Sequence, residues 1–338
     1  MEPPSYIVLR FSALGDVALS LPFLYQAAYC YPDRRFTFVT TPFHSHILLD
    51  PPPNVRVVTF DTRHQGGFKG CIQLAHRLHK LEPMATILDL HDVLRTRIIS
   101  STLKVLGHTV YTIRKPRRER ARLVQRPPKD QVPRELYVPP MTQVYCEVYR
   151  RCGLTKVQEG FSPFLDSSAK RSPILGIAPY AKHPSKVLPT ERLRELITLI
   201  HRYFPHYTIL LYSAPGEERQ RSEALSNEFP GFVSCTRASS ITEELREIST
   251  LSAMISMDSA NQHLAAWMGT PVVSIWGATH PAAGFIPWHG SEEDCLGIPL
   301  PCRPCSIYGQ KPCHRGDLAC MYRLKLSKVI DRLHPYLD

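Results

Sequence analysis

Short apolar runs of strand length alternate with stretches of helical spacing, twice over, and this alternation restricts the chain to an α/β fold with parallel sheets. The first half reads as a strand at Tyr6 to Leu9, then a loop through Asp16. A helix follows on Val17, Leu19, Leu21, Leu24, Ala27 and Ala28, with Pro22 in its first turn. The alternation continues through Phe36 to Val39, Val55 to Phe60, Ile72 to Leu81, Ala85 to Leu90, Leu94 to Leu106 and Val110 to Ile113. Met141 to Cys152 closes that half. Residues 160–173 are polar, hold two prolines and read as a linker. The pattern restarts at Ile174 to Ala178 and runs through a helix from Thr190 to Tyr203 and a strand at Tyr207 to Tyr212. The capping box Ser240-Ile-Thr-Glu243 then opens another helix. The expected domains are 1–165 and 172–320, two doubly wound halves with a ligand cleft at their strand ends.

At 338 residues the chain suits two ordinary domains. No apolar run approaches bilayer length, and Met-Glu-Pro-Pro lacks a basic n-region, so neither a membrane span nor a secretory signal is expected. The ten cysteines are not spaced as a small secreted framework, which suggests a reducing, cytoplasmic setting. The formal charge of +11 is uneven: Arg114 to Lys129 holds eight basic residues against Glu119 and is broken by Pro116, Pro127 and Pro128. It reads as a mobile cationic loop suited to phosphates or an anionic membrane surface. No aromatic residue interleaves with these charges, and no nucleic-acid-binding signature accompanies them, so no nucleic-acid partner is expected. Gly15 stands alone without G-x-G-x-x-G, which argues against an NAD-dependent enzyme, and no cofactor is expected.

The stretch Met257 to Gly277 carries the most chemistry. A strand ends at Asp258, Ser259 offers a helix N-cap hydroxyl, and Gln262 to Met268 continues as a helix that Gly269 and Pro271 end. Val272 to Trp276 is then a buried strand. Unpaired N–H groups at such a helix start favour a phosphate, and His263, four residues after Ser259, shares its face. An ordinary crossover with a capping serine and a surface histidine fits the same residues.

Three segments together resemble glycosyltransferase family 9, the heptosyltransferases that build lipopolysaccharide core. The first is Leu9-Arg-Phe-Ser-Ala-Leu-Gly-Asp-Val17 with Leu21-Pro22. The second is Lys186-Val-Leu-Pro189. The third is Asp258-Ser-Ala-Asn-Gln-His-Leu-Ala-Ala266 with Gly269-Thr-Pro-Val-Val273 and Gly277-Ala-Thr-His-Pro281. Leu188, Ala260 and Ala278 depart from the residues usual there. The resemblance implies the GT-B fold: two Rossmann-like doubly wound α/β domains facing a central cleft, with residues 321–338 forming a helix that packs back on the first domain.

It also implies roles, each with an ordinary structural alternative. Asp16 is the candidate general base of an inverting sugar transfer, against a plain helix-capping aspartate; Ser12 and Gly15 belong to the same acceptor-side loop. Lys186, and Lys182 with less motif support, would neutralise a departing diphosphate, against a solvated lysine. Ser259, Ala260 and Asn261 would offer backbone N–H groups to that diphosphate, with His263 as a further donor. Asp258 would order the loop or meet sugar hydroxyls. Glu217 or Glu218 would bind ribose, the other being a helix-start acid. Cys302-Arg-Pro-Cys305 with Cys313 and Cys320 offers four thiols, read as free, with a structural metal as the alternative.

The implied activity is metal-independent transfer of a heptose from an ADP-linked donor onto an anionic glycolipid acceptor, by a cytoplasmic protein in peripheral contact with the inner membrane. Two rivals remain. A nucleotide-sugar epimerase would need no acceptor, and a basic nucleic-acid- or phospholipid-binding protein would ignore nucleotide sugars.

Overall fold

The computed structural model describes residues 4–125, 131–161, 163–164 and 171–338. In chain order the elements are β1 (Ser5–Leu9), α1 (Leu14–Cys30), β2 (Arg35–Thr40), α2 (Pro42–Ser45), β3 (Val55–Thr59), α3 (Phe68–Leu81), β4 (Thr86–Asp89), α4 (Leu94–Val105), β5 (Val110–Thr112), α5 (Arg117–Gln125) and α6 (Met141–Arg151). The second half comprises β6 (Ser172–Ala178), α7 (Thr190–Tyr203), β7 (Thr208–Leu211), α8 (Glu217–Glu228), β8 (Val233–Cys235), α9 (Ile241–Ser249), β9 (Leu251–Met257), α10 (Ala260–Trp267), β10 (Val272–Ile275), β11 (Cys295–Leu296), α11 (Ala319–Tyr322) and α12 (Ser327–Leu337). Two compact units result: residues 1–115 with 141–163, and residues 116–140 with 164–338.

The first unit holds a parallel sheet of order β3-β2-β1-β4-β5, the second one of order β11-β10-β9-β6-β7-β8. Counted from its own first strand, each sheet runs 3-2-1-4-5, with a sixth strand added in the second. This is the doubly wound order, which reverses direction between a unit's first and fourth strands. Central strands read as continuous apolar runs because both faces are covered: every residue of β1 and of β9 is buried. The first core gathers Ile7, Leu9, Val39 and Ile87 from strands with Leu74, Leu78, Ile99 and Leu103 from α3 and α4. In the second, Leu193, Leu196, Ile197 and Ile200 form the i, i+3, i+4, i+7 stripe by which α7 lies on the sheet.

Three expectations are corrected. The first helix begins at Leu14, which places Asp16 in its first turn and Pro22 in its interior. Residues 117–125 of the cationic segment are helix α5, belonging to the second unit. Arg120 is buried there, stacked 4.2 Å from the Phe285 ring centroid and donating to the Ala283 carbonyl (3.0 Å). Its residues 126–130 lie outside the described residues, as do 165–170 of the expected linker. The final helix was expected on the first domain. Instead, Val329, Ile330, Leu333 and Leu337 of α12 pack into the second unit's core, and Tyr207 Oη donates to the Leu337 carbonyl (2.8 Å). An apolar stripe of that spacing needs a sheet or helix to cover it, and β9, β10 and α7 provide one.

Candidate functional site

In the second unit the order reverses between β6 and β9, so the carboxyl ends of these strands frame a natural ligand site. The segment after β6 carries Lys182 and Lys186, and the turn after β9 carries Asp258 and the start of α10. Lys182 is exposed. Lys186 closes a 3-10 turn, Pro184–Lys186, and its Nζ lies 2.9 Å from Asp258 Oδ2, with both side chains only 12% and 9% exposed. Thr279 Oγ1 donates to the same carboxylate oxygen (2.6 Å), and Gln262 Nε2 donates to Oδ1 (3.0 Å). A nearly buried carboxylate is thereby saturated with donors, one of them a cation.

Beside this pair α10 starts at a half-buried Ser259, Ala260 and Asn261, with Gln262 and His263 buried behind them. Ser259 takes the N-cap position, but its hydroxyl makes no capping bond and lies 3.3 Å from Ser256 Oγ. The first backbone N–H groups of α10 have no intrahelical acceptor, the kind of donor set that suits an anion. His263, which the ordinary reading places on the surface, is 7% exposed with Nε2 3.4 Å from Gln262 Nε2.

The cysteine-bearing loop braces this arrangement. Arg303, between Cys302 and Pro304, is buried and donates Nε to the carbonyls of Gly277 (2.7 Å) and Thr279 (3.0 Å), and Nη1 to that of Ile298 (2.8 Å). Burial pulls its guanidinium down to about 10. Cys305 N donates to the Ala278 carbonyl, Ala278 N to that of Ser185, and Ser185 Oγ to that of Gly309. Gly309 (φ +85°) lies so close to the Lys186 stem that an added Cβ would stand 2.3 Å from Lys186 Cδ. Loop 302–309 thus fixes both ends of the Lys186–Asp258 pair.

Cys302, Cys305, Cys313 and Cys320 carry free thiols, and burial, then the neighbouring thiols, pushes Cys305 up to about 11. Among the described residues no group of three or more His, Cys, Asp or Glu side chains is arranged to hold a metal ion. Glu217 and Glu218 open α8 after β7. Glu217, 76% exposed, pairs with Arg221, while Glu218 turns back to accept from Ala214 N (3.0 Å). Elsewhere in this unit Tyr137, His280 and Arg303 line a cavity of about 530 Å³, whose carboxylate, Glu292, is already engaged by Tyr137 and Arg134.

The first unit's order reverses between β1 and β4, and the residues there come from the loops after both. Arg10 is buried and pairs through Nη2 with Asp16 Oδ2 (2.7 Å), while Nη1 donates to the Leu90 carbonyl (2.6 Å). Tyr145 Oη donates to Asp16 Oδ1 at 3.4 Å, and the carboxylate is 26% exposed. Ser12 is exposed, with Oγ 3.3 Å from His91 Nε2; Gly15 is buried in the first turn of α1. His91 is driven down to about 3, first by burial and then by the Arg10 and Lys115 cations, so it is a neutral ring. Lys115 donates to the His91 carbonyl.

Sequence reasoning did not single out Arg10, His91 and Tyr145, nor Gln262, Thr279 and Arg303. Arg10 stood inside the quoted R-x-S segment and could have been found as the only cation in that loop. Of the partners of Asp258, Gln262 lies four residues on in the same segment, whereas Lys186 and Thr279 come from other segments that no local spacing announces.

A parallel sheet that offers a cation and an orphan-donor helix start at its switch point, joined in sequence to a second sheet of like order bearing a carboxylate at its own, defines a two-domain glycosyltransferase architecture of the GT-B kind. Residues 149–312 match the model of "Glycosyltransferase family 9 (heptosyltransferase)". The chain is similar to the lipopolysaccharide core heptosyltransferase OpsX of Haemophilus influenzae, with 22% identity over 295 residues, covering 82% of this chain and 80% of the relative. Among solved structures it resembles a family 9 glycosyl transferase from Veillonella parvula, with a TM-score of 0.71 and 15% identity, covering 100% of this chain and 98% of that one. The E. coli heptosyltransferase WaaC with ADP gives a TM-score of 0.65 at 17% identity, covering 98% and 99%. At such identities these structures establish the fold alone.

Proposed function

We propose that the chain transfers a heptose from an ADP-linked donor to a lipopolysaccharide-core type acceptor, with inversion at the anomeric carbon. The observation that carries this reading is the pairing of Lys186 with Asp258 beside the start of α10, a site that holds a cation ready for a diphosphate. In the reaction Asp16 removes the proton of an acceptor hydroxyl, whose oxygen then attacks the anomeric carbon. The bond from that carbon to the diphosphate breaks, and its electron pair leaves on the phosphate oxygen. Lys186 and the N–H groups of residues 260–262 meet the charge that builds there. Lys182 adds a mobile cation, Asp258 orients Lys186 and faces sugar hydroxyls, His263 donates to the phosphates, and Glu217 or Glu218 takes the ribose. Arg10 holds the Asp16 carboxylate in place through a 2.7 Å ion pair. The acceptor is an anionic glycolipid, met by a cytoplasmic protein at the inner face of the membrane.

The name of the Haemophilus relative supports the heptose and the core acceptor. Radiolabel transfer from ADP-heptose to a core acceptor, in parallel with thermal-shift binding of ADP, tests the reading. Asp16→Asn should lower kcat by about 10²–10⁴ with ADP binding unchanged. Wild-type turnover by that variant would remove Asp16 from the chemistry, and donor turnover without acceptor would replace the transferase by an epimerase.

A further inference from the structure

The second unit holds a cavity of about 530 Å³ that the transfer chemistry leaves unused, within the range of about 300–1,000 Å³ that seats small ligands. His280, which follows β10, forms one wall, and Ile298 and Leu300, which follow β11, form a second. Tyr137 and Arg134 close it from the segment before α6. Strands β9, β10 and β11 run parallel, so the cavity lies at the same sheet edge as Asp258, one to two strand spacings away, roughly 5–10 Å. Arg303 joins the two sites. It lines the cavity, and its Nε holds the carbonyl of Thr279, whose hydroxyl donates to Asp258.

The walls are fixed before any ligand arrives. The turn Glu292–Asp294 is fastened to α12 by Arg332, which pairs with Asp294 (2.9 Å), and by Tyr336 Oη, which donates to Asp294 Oδ2 (3.1 Å). Opposite, Val138 N donates to the Ala282 carbonyl (3.0 Å), and the Tyr137 ring stands edge-on to His280 (5.8 Å between centroids). A site that needs no reordering loses less free energy on binding.

The charges of the lining are engaged, and this selects the ligand. Arg134 pairs with Glu292 and stacks on Tyr137 (4.7 Å), while Arg303 donates to the backbone carbonyls of Gly277, Thr279 and Ile298. A phosphate or carboxylate would have to compete for these cations, and a purely apolar ligand would bury Glu292 against carbon. Glu292 itself retains accepting capacity. A carboxylate offers about four lone-pair sites, of which Tyr137 Oη (2.7 Å) and Arg134 take one each. Directed acceptor sites beside the apolar side chains of Val132, Ile298 and Leu300 match a neutral ligand with hydroxyls on its edge and C–H groups on its faces.

From these observations we propose that the cavity lined by Tyr137, His280, Glu292 and Ile298 is a sugar-ring subsite, in which the Glu292 carboxylate accepts from ring hydroxyls. The order of the strand ends supports it. Glu217 and Glu218 follow β7, the Lys186–Asp258 pair lies at the ends of β6 and β9, and the cavity comes next, at β10 and β11. A nucleotide sugar laid along that edge with its diphosphate at Lys186 carries its ring toward the cavity. The same chemistry has two sources, the sugar on the donor and the sugar of the acceptor. That either one belongs to the reaction rests on the transfer proposed above; the subsite itself rests on the cavity.

Calorimetric titration of the full-length protein with ADP, with ADP-heptose and with a deacylated core oligosaccharide tests the inference. Glu292→Ala removes the acceptor, and Pro299→Trp fills the cavity from its exposed rim, with thermal melting to report that each variant folds. Glu135→Ala, exposed and outside the lining, should bind every probe as wild type does. If the ring is the donor's, both cavity variants bind ADP unchanged and ADP-heptose about tenfold more weakly or worse. If it is the acceptor's, both nucleotides bind unchanged and the oligosaccharide weakens by that factor. Unchanged binding of all three probes overturns the subsite and leaves the transferase reading standing. Loss of ADP together with the sugars would make Glu292 a support of the fold and overturn the subsite as well. Wild type that binds the oligosaccharide through Glu292 but neither nucleotide would keep the subsite and overturn the donor assignment, and wild type that binds neither sugar overturns both.

Discussion

Asp258 shows how a carboxylate can sit beside a proposed anion site. It lies 2.9 Å from Lys186 and accepts from Thr279 and Gln262, so it is the counter-ion that holds the lysine side chain in place. In the first unit the corresponding device is Arg10, which holds Asp16 from a buried position. His91 beside it has a folded-state value near 3 against an unfolded value near 6.5, because burial and two cations disfavour its charge. The unfolded chain therefore binds the extra proton first. Stability from this residue is complete above pH 6.5 and is lost as pH falls toward 3, with about 2 kcal/mol gone by pH 5. His91→Gln, which keeps a hydrogen-bonding side chain without titrating, should flatten the acid limb of a urea-denaturation profile between pH 7 and 5. An unchanged limb would show that the loss comes from other groups.

At the scale of elements, the strands and long helices follow from residue spacing. Thr190–Tyr203 is helical with the bounds its apolar stripe predicts, and Ser240 Oγ caps Glu243 N as its box predicts. What spacing could not give was which surface each element covers. Leu324 to Leu333 shows a helical stripe, but its partner sheet is set by tertiary packing, and the final helix lies on the second core. The cationic segment reads as loop because of Pro116 and its eight basic residues, whereas Leu123 joins an apolar cluster with Val132, Ala282 and Ala283. The cysteine loop reads from sequence as a set of thiols, whereas in the structure its Arg303 holds the Gly277 and Thr279 carbonyls and its Gly309 abuts the Lys186 stem. Arg303→Met should remove the donor to two buried carbonyls and one half-buried one and cost about 2–4 kcal/mol of stability, measured by chemical denaturation. Gly309→Ala is the sharper test. A Cβ at φ +85° costs about 1 kcal/mol and must displace the Lys186 stem, so ADP affinity by calorimetry should fall about tenfold while folding persists. Full ADP affinity in that variant would mean the loop does not position Lys186.

For the whole molecule, each unit has its own sheet and core, but the second is not one continuous stretch of sequence. It takes residues 116–140 from the middle of the chain, and with them the cover for Ala282 and Ala283. A fragment beginning near residue 171 would lack that cover, so the ligand response must be read on the full chain. Calorimetric heating should show two transitions, since separate cores melt as separate cooperative units. A ligand that binds only native protein adds RT ln(1 + [L]/Kd) to the unit that holds it, about 2.7 kcal/mol at a hundredfold excess over Kd. For a unit of this size that raises the midpoint by roughly 5–10 °C. ADP should therefore move the transition of the unit bearing Lys186 and leave the other in place, and Lys186→Met should abolish the movement without lowering the unshifted midpoint. Equal displacement of both transitions would assign the nucleotide contacts to the two units jointly, and displacement of the first alone would move the donor site to Arg10 and Asp16.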